Sequence, residues 1–362
     1  MRIQIGGSTT VASIHEPTGK DERVTLWPSV SEYQIYDEPL YELMSSDSTR
    51  NAAYVAAVRR LAPGRVCLDI GTGAHVNWAR ACVEAGARKV YAIEAIEESY
   101  VKAVRTVRDL AMEDRIHVVH GLSTEVTLPE PIDICVSEII GCIGSSEGAV
   151  SYLLDVRSRL LREGGLMIPR RCLTWIAGVS LPESLHSAPG FDPEGARYLE
   201  PLFHKIGKPF DVRLLLCGSG PEDLLSDAVL FEDVDFGALL DESTTRGTSR
   251  ITTAGRLDGF LAWIELWCDE VGPPVSSLGE WAAWVPVFFP VFSPGIDVDQ
   301  GDLIELTCRV RPSADHVHPD YHLEGRVVRG AGGGAAIPFR FDSMYRGGAF
   351  RESAYYRSLF SG

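Results

Sequence analysis

The chain has 362 residues, 45% of them hydrophobic, and carries 50 Asp and Glu against 34 Lys and Arg, a formal net charge of −16. The length suits two domains rather than one small core. The acidic balance argues against a nucleic-acid partner, which needs a basic patch, and no apolar run approaches the about 20 residues of a membrane span. The eight cysteines form no Cys-x-x-Cys pair and mostly lie in apolar runs, so neither a zinc site nor a redox motif is signalled. The start of the chain lacks the apolar stretch of a signal peptide, and a cytoplasmic protein is expected.

In chain order, residues 1–30 form an N-terminal segment with a hairpin candidate at Gly6-Gly7 and a turn at Pro17-Thr18-Gly19-Lys20. Residues 31–60 read as helical, with Tyr33, Tyr36, Tyr41, Met44 and Tyr54 among polar residues, and Pro63-Gly64 ends them. From 65 to 170 strands and helices alternate: strands at 65–70, 89–94, 116–119, 132–136 and 166–168, helices at 76–84, onward from 94 through Leu110, and at 149–161. Such alternation predicts a parallel sheet with helices on both faces. After Pro169, short runs rich in Val, Leu, Phe and Trp fall at 211–217, 228–236, 259–267, 284–292, 302–310 and 322–328. Their spacing predicts an antiparallel barrel or sandwich. Residues 184–208 carry Pro and Gly, are poor in strand signal, and read as an inserted arm. The expected domains are therefore an α/β domain at 31–168, a β-barrel domain at 169–338 and an Arg- and aromatic-rich C-terminal extension at 339–362.

Two motifs carry chemistry. Leu68-Asp69-Ile70-Gly71-Thr72-Gly73 follows a strand and opens a helix, where glycines let backbone approach a ligand closely. It is not a dinucleotide fingerprint, because position 76 is Val rather than a third Gly. Glu94 ends the next strand, where an acid suits the two hydroxyls of a ribose. The combination points to S-adenosylmethionine. The second motif, Ser137-Glu138-Ile139-Ile140-Gly141-Cys142-Ile143-Gly144-Ser145-Ser146-Glu147, places two glutamates nine residues apart on a loop leaving a buried strand. Two carboxylates there can hold one planar cation from two sides, and guanidinium N–H groups match them in a fork. Without a cation they repel each other. The plainer alternative makes Glu138 a loop-bracing residue and Glu147 an acid at a helix start.

These residues resemble the protein arginine methyltransferase family over most of residues 30–330. The resemblance implies a Rossmann-like class I methyltransferase domain, then an antiparallel β-barrel domain with an inserted dimerisation arm near 184–208, and hence a homodimer. It rests on Leu68 to Gly73 with Glu94, on Ser137, Glu138 and Glu147 without gaps, and on Tyr41-Glu42-Leu43-Met44-Ser45-Ser46-Asp47-Ser48-Thr49-Arg50. By the resemblance Asp69, Gly71, Gly73 and Glu94 bind the cofactor, Arg50 contacts its carboxylate, Ser123 and Thr124 lie at adenine, and Tyr41 and Met44 border the methyl-transfer site. Trp284-Val285-Pro286-Val287-Phe288-Phe289-Pro290-Val291 looks like a strand of the symmetric-dimethylating branch, whereas Met44 is the type of asymmetric members. The family's Thr-His-Trp loop falls on Ala282-Ala283-Trp284, so the histidine that pairs with the acid matching Asp47 is absent.

The expected reaction is methyl transfer to a guanidine, free or peptidyl, with Glu138 and Glu147 pinning and polarising it and taking the released proton. A non-guanidine acceptor with one glutamate as general base is the alternative. Trp284 is a candidate to stack on the guanidinium or a core residue. His316, His318 and His322 read as loop histidines rather than metal ligands, and the extension after 338 as a lid over the acceptor site or a packed surface layer.

Overall fold

The computed structural model describes residues 1–16, 23–35, 37–279, 282–330, 335–348 and 353–361; the turn read at 17–20 and Tyr36 lie outside them. Val66–Ile70 is the middle of a five-stranded parallel sheet, flanked by Lys89–Glu94 and Ile132–Ser137, with Ile116–His120 and Leu161–Ile168 outermost. All five of its residues are buried, as a strand covered on both faces requires. Strand order reverses beside Val66–Ile70, so the crevice at the carboxyl ends of this strand and its neighbours is where a ligand belongs. The helices Asn77–Glu84, Glu97–Asp109 and Ala149–Arg159 alternate with the strands, close to the expected positions. The helical run before the sheet is broken in two, Glu38–Ser46 and Ser48–Leu61, at Asp47.

The second half is antiparallel. One sheet contains Val229–Asp235, Arg171–Val179, Gly259–Trp267, Val287–Phe289, Leu214–Cys217 and Thr25–Pro28 in spatial order. The other is Ser243–Arg250, Leu303–Pro312, Pro319–Val328 and Ile337–Ser343. Phe231, Phe260, Phe289, Ile304, Tyr321 and Leu323, drawn from both, share one buried cluster.

Three boundaries differ from the sequence reading. Thr25–Pro28, from the N-terminal segment, pairs with Leu214–Cys217 and completes the first sheet. Ile337–Ser343 pairs along Pro319–Val328, so the second sheet runs past 338 into residues read as an extension. The run 284–292 yields only Val287–Phe289 as strand, because Pro286 and Pro290 on either side have no N–H to donate. Ser243–Arg250, Ser-Thr-Thr-Arg-Gly-Thr-Ser-Arg, escaped notice because it has no apolar residue to alternate.

The segment 184–208 forms short helices, among them Leu199–Ile206. Leu185, Phe191, Leu199, Leu202 and Phe203 are fully buried. They pack with Ile3 and Ile5 of the N-terminal hairpin and with Tyr355, Tyr356, Leu359 and Phe360 of the tail. The strand Phe360–Ser361 pairs with Ser8–Ala12, so both ends of the chain meet on this layer. The tail's apolar side chains thus build the arm's own core. Among the residues the arm exposes, Glu194, Arg197, Glu200, His204, Lys205 and Lys208 are polar, and the apolar ones, such as Ala188, Pro193 and Pro201, are small or cyclic. Among the described residues no helix is long and apolar enough to cross a membrane.

Leu359 is fully buried in this layer. Leu359→Ala should lower unfolding stability by about 2–5 kcal/mol, read by urea denaturation, and should leave ligand affinity at the distant parallel sheet unchanged.

Candidate active site

Glu138 is the first residue past Ile132–Ser137, at the carboxyl end of the parallel strand beside Val66–Ile70. Its buried carboxylate meets Arg50, with Nη1 to Oε2 at 3.0 Å. Asp47 puts Arg50 there. It caps the helix Ser48–Leu61, Oδ1 accepting from the Arg50 main-chain N–H at 2.9 Å. Asp47 Oδ2 accepts from the Ala283 N–H, also at 2.9 Å. Where the resembled family has an imidazole for this acid, a main-chain N–H does the pairing here.

Trp284 follows directly. It is 4% exposed and its Nε1 donates to the Ile140 carbonyl at 2.7 Å, while the Arg50 guanidinium lies 5.6 Å from its ring. Of the two readings of Trp284, stacking surface or core residue, this placement favours the second: the side chain is buried and bonded to the glutamate loop, and its ring already faces a cation of the protein.

The loop doubles back on itself. A Cβ at Gly141 would collide with Ser146 Oγ and come within 3.0 Å of Glu147 Cγ, so only glycine permits the approach. Glu147 thereby lies against Gly141, near enough to Glu138 for its charge to act on that carboxyl. The Glu138 carboxyl is pushed up to about 7, chiefly by burial; Arg50 opposes the rise, and the charges of Glu147 and Asp47 add to it.

The opposite wall is the Gly71–Gly73 turn. Both glycines are left-handed, φ +68° and +63°, and the Gly71 and Thr72 N–H groups donate to the Ile93 carbonyl at 3.0 and 3.1 Å. Glu94, 6% exposed, has both oxygens fixed by backbone, accepting from Gly73 N and Ile96 N at 2.9 Å each. Asp69 is fully buried beneath the turn, accepting from Thr72 Oγ1 at 2.6 Å and Ala79 N at 3.0 Å. Burial pushes its carboxyl up to about 7. It braces the turn from inside. Val76, at the position of the missing third glycine, is itself left-handed, φ +47°, a costly conformation for a β-branched residue.

Ser123 and Thr124 follow Ile116–His120, whose His120 is in register with Glu94. Ser123 is buried and Thr124 exposed, and the Ser123 carbonyl accepts from Arg159 at 2.7 Å. Tyr41 is 39% exposed on Glu38–Ser46; partial burial and the nearby Glu94 charge raise its phenol pKa. Met44 is half-buried, and its carbonyl accepts from Arg50 Nη2.

S-adenosylmethionine fits this donor set. Arg50 Nε is buried and finds no acceptor among the described residues, which suits a ligand carboxylate. Glu94 offers oriented acceptors for two hydroxyls, and space before Gly73 is open, with no atom within 4 Å of an added Cβ. A cavity of about 790 Å³ is lined by Tyr41, Val55, His75 and Trp78, and none of Glu138, Glu147 and Glu94 lines it. Chemistry rather than size locates the site.

The histidines at 316, 318 and 322 do not converge. His318, read as a loop residue, is buried, stacked on Tyr345 at 4.0 Å and bonded to Asp315 at 2.8 Å. His322 pairs with Asp342 at 2.7 Å. Among the described residues no group of three or more His, Cys, Asp or Glu is placed to hold a metal. Sequence reasoning missed the bond from Ala283 to Asp47, which no side-chain pattern announces. It also missed Glu232, which meets Ser145 of the glutamate loop at 2.7 Å; a bulge aims it there, and no sequence pattern announces one.

The fold is that of the protein arginine methyltransferases, a parallel Rossmann-like sheet followed by an antiparallel β domain. A Trypanosoma brucei PRMT1 enzyme-prozyme heterotetrameric complex with AdoHcy superposes with a TM-score of 0.68 at 17% identity, over 86% of this chain and 99% of that one. In sequence the chain is similar to protein arginine N-methyltransferase 6 of Danio rerio, 33% identical over 159 residues, which are 42% of this chain and 45% of that protein, less than half its length. It is also similar to protein arginine N-methyltransferase 6 of Xenopus laevis, 26% identical over 321 residues, 83% of this chain and 92% of that protein. No protein-family profile matches the chain.

Gly141→Ala should displace Glu147 and lower acceptor turnover by about 100-fold while cofactor affinity, measured by calorimetry, stays within about threefold. Equal turnover in this variant would show that the close approach has no bearing on the chemistry.

Proposed function

We propose that the chain is an S-adenosylmethionine-dependent N-methyltransferase acting on a guanidine, free arginine or a related small guanidine, or a peptidyl arginine. The observation that carries this reading is Glu138 paired with Arg50 at the carboxyl end of a parallel strand, with Glu147 of the same loop near enough for its charge to act on the Glu138 carboxyl. Gly71, Gly73 and Glu94 hold the cofactor's nucleoside, with Ser123 and Thr124 at the adenine edge, Arg50 on its carboxylate, and Tyr41 and Met44 over the methyl.

When bound, S-adenosylmethionine supplies a methyl activated by its sulfonium. Glu138 and Glu147 accept hydrogen bonds from the guanidinium and hold one nitrogen in line with that methyl; such orientation can contribute about 7–11 kcal/mol. Glu138 or Glu147 would take the proton that the nitrogen loses on methylation. A bound guanidinium relieves the repulsion between the two carboxylates, so a cationic acceptor completes the site. A homodimer through 184–208, which the resemblance implies, would rest on the arm's largely polar outer face, because its large apolar side chains are taken up within the protomer.

The test is methyl transfer from S-adenosylmethionine to free L-arginine, an Arg/Gly-rich peptide and small amines in parallel, with products read by mass spectrometry. A methylated guanidine supports the reading; cofactor binding with no guanidine product sinks it. Glu138→Gln and Glu147→Gln should each cost at least about 100-fold in kcat/KM, and tolerance of either would favour a single general base on another acceptor.

The pH profile offers a second check. Glu138 titrates upward of its ordinary range, at about 7. Its ionised form, which clamps a cation, is therefore populated above that pH and lost below it. The acceptor kcat/KM should rise as pH passes through about 7, since that quantity reports the free enzyme. The limb in kcat should lie lower, because two bound cations favour the carboxylate. A flat kcat/KM between about pH 6 and 8 would contradict the role given to Glu138.

A further inference from the structure

Glu232 is a buried acid, 2% exposed, that the mechanism leaves unused. It lies on Val229–Asp235, where the register against Arg171–Val179 shifts between Leu230 and Glu232. A bulge of this kind re-aims the side chains that follow it. Phe231 and Glu232 are consequently both buried, one after the other. Phe231 fills the β core. Glu232 points across the domain boundary to the middle of the glutamate loop.

Its contacts there are specific. Glu232 Oε1 accepts from the Ser145 main-chain N–H at 3.0 Å and from Thr174 Oγ1 at 3.0 Å. Oε2 accepts from Ser145 Oγ at 2.7 Å. Thr174 Oγ1 in turn receives the Gly144 N–H at 3.2 Å, and Tyr321 OH, from the second sheet, lies 2.9 Å from Ser145 Oγ. Gly144 makes this contact sterically accessible: a Cβ there would stand 2.8 Å from Cys172 Sγ and 3.2 Å from Glu232 Oε1. The grip passes directly to the catalytic side. Gly148 N, the residue after Glu147, donates to the Ser145 carbonyl at 3.1 Å, and Ser146 N donates to the Ile143 carbonyl at 2.9 Å. The tight turn that bears Glu147 thus hangs from Ser145.

We propose that Glu232 is a positioning residue of the β domain that holds the Gly144–Ser145 backbone and thereby sets where Glu147 stands relative to Glu138. The proposal rests on the guanidine-clamp reading for its consequence in turnover, though not for the grip itself. Glu138 is anchored by Arg50 and by the end of its strand, within the α/β domain. Glu147, nine residues on, has its loop tied to the other domain. A charged acceptor receiving two N–H or O–H donors from one residue and a third from Thr174 is among the stronger arrangements available to a loop. Its removal leaves the buried Ser145 N–H without its acceptor, which costs more than the bond itself contributes.

Two readouts on the full chain test this. In Glu232→Ala the amides of Gly144, Ser145 and Gly148 should exchange with deuterium at least about 100-fold faster than in the unsubstituted chain, while amides of Val66–Ile70 keep their protection. Acceptor kcat/KM should fall about 30-fold or more, with cofactor affinity within about threefold, and Glu232→Gln, which keeps an oxygen for the Ser145 N–H, should recover to within about tenfold of the original. If Glu232→Ala does not fold, Ser145→Ala, which deletes only the hydroxyl bond to Oε2, should give the same pattern at smaller size. Unchanged loop exchange, or a fall in cofactor affinity parallel to the fall in turnover, overturns the proposal. If the unsubstituted chain methylates no guanidine, the functional reading falls, and the exchange experiment still decides whether Glu232 holds the loop.

Discussion

The arrangement of the site depends on one buried ion pair, Arg50 with Glu138. Two charges taken out of water are costly, and their attraction offsets that only when the remaining donors and acceptors are also met. Here the helix Ser48–Leu61 cannot shift without stranding a guanidinium beside a buried carboxylate. Asp47 fixes the start of that helix and, through Ala283, ties it to the segment that turns Trp284 under the loop. One pair therefore holds three pieces distant in sequence: the N-terminal helices, the end of a parallel strand, and a connection in the β domain.

The pair is also left incomplete in a useful way. Arg50 has a buried nitrogen with no acceptor among the described residues, and Glu138 remains above its ordinary range despite the cation beside it. Burial and Glu147 together outweigh Arg50. The site is thus short of an acceptor on one side and of positive charge on the other. A zwitterionic sulfonium ligand with a carboxylate, together with a cationic acceptor, answers both deficits. Such local imbalance between neighbouring titratable groups is common where chemistry occurs.

Much of this was legible in the sequence wherever side-chain pattern governs structure. The parallel half follows from apolar runs bounded by Gly, and Gly71, Gly73, Glu94 and Glu138 fall at strand ends where such residues were expected. What was not legible rests on backbone groups and long-range register. Ser243–Arg250 forms a strand with no apolar alternation, because pairing with Leu303–Pro312 supplies its order. The N–H of Ala283 replaces a side chain and leaves no mark in composition. Trp284 reads equally as platform or core until its indole is seen bonded to Ile140. Glu232 is aimed by a bulge, and a bulge is a property of two strands rather than one.

The alanine at 283 bears on where the proton goes. With an imidazole at that position, Asp47 could share a proton with it; here both Asp47 oxygens accept from main-chain N–H groups, which cannot take part in a relay. Asp47 is fully buried as well. On the proposed reading, a guanidinium losing a proton during methyl transfer therefore has the loop glutamates as its acceptors. Glu138, whose carboxyl lies above its ordinary range in the free protein, is a stronger base for that task than an exposed glutamate. Burial of the carboxyl, which costs stability, is what raises its basicity. On the proposed reading the glutamate loop carries both the cation clamp and the proton transfer, so how firmly the β domain holds that loop bears on both at once.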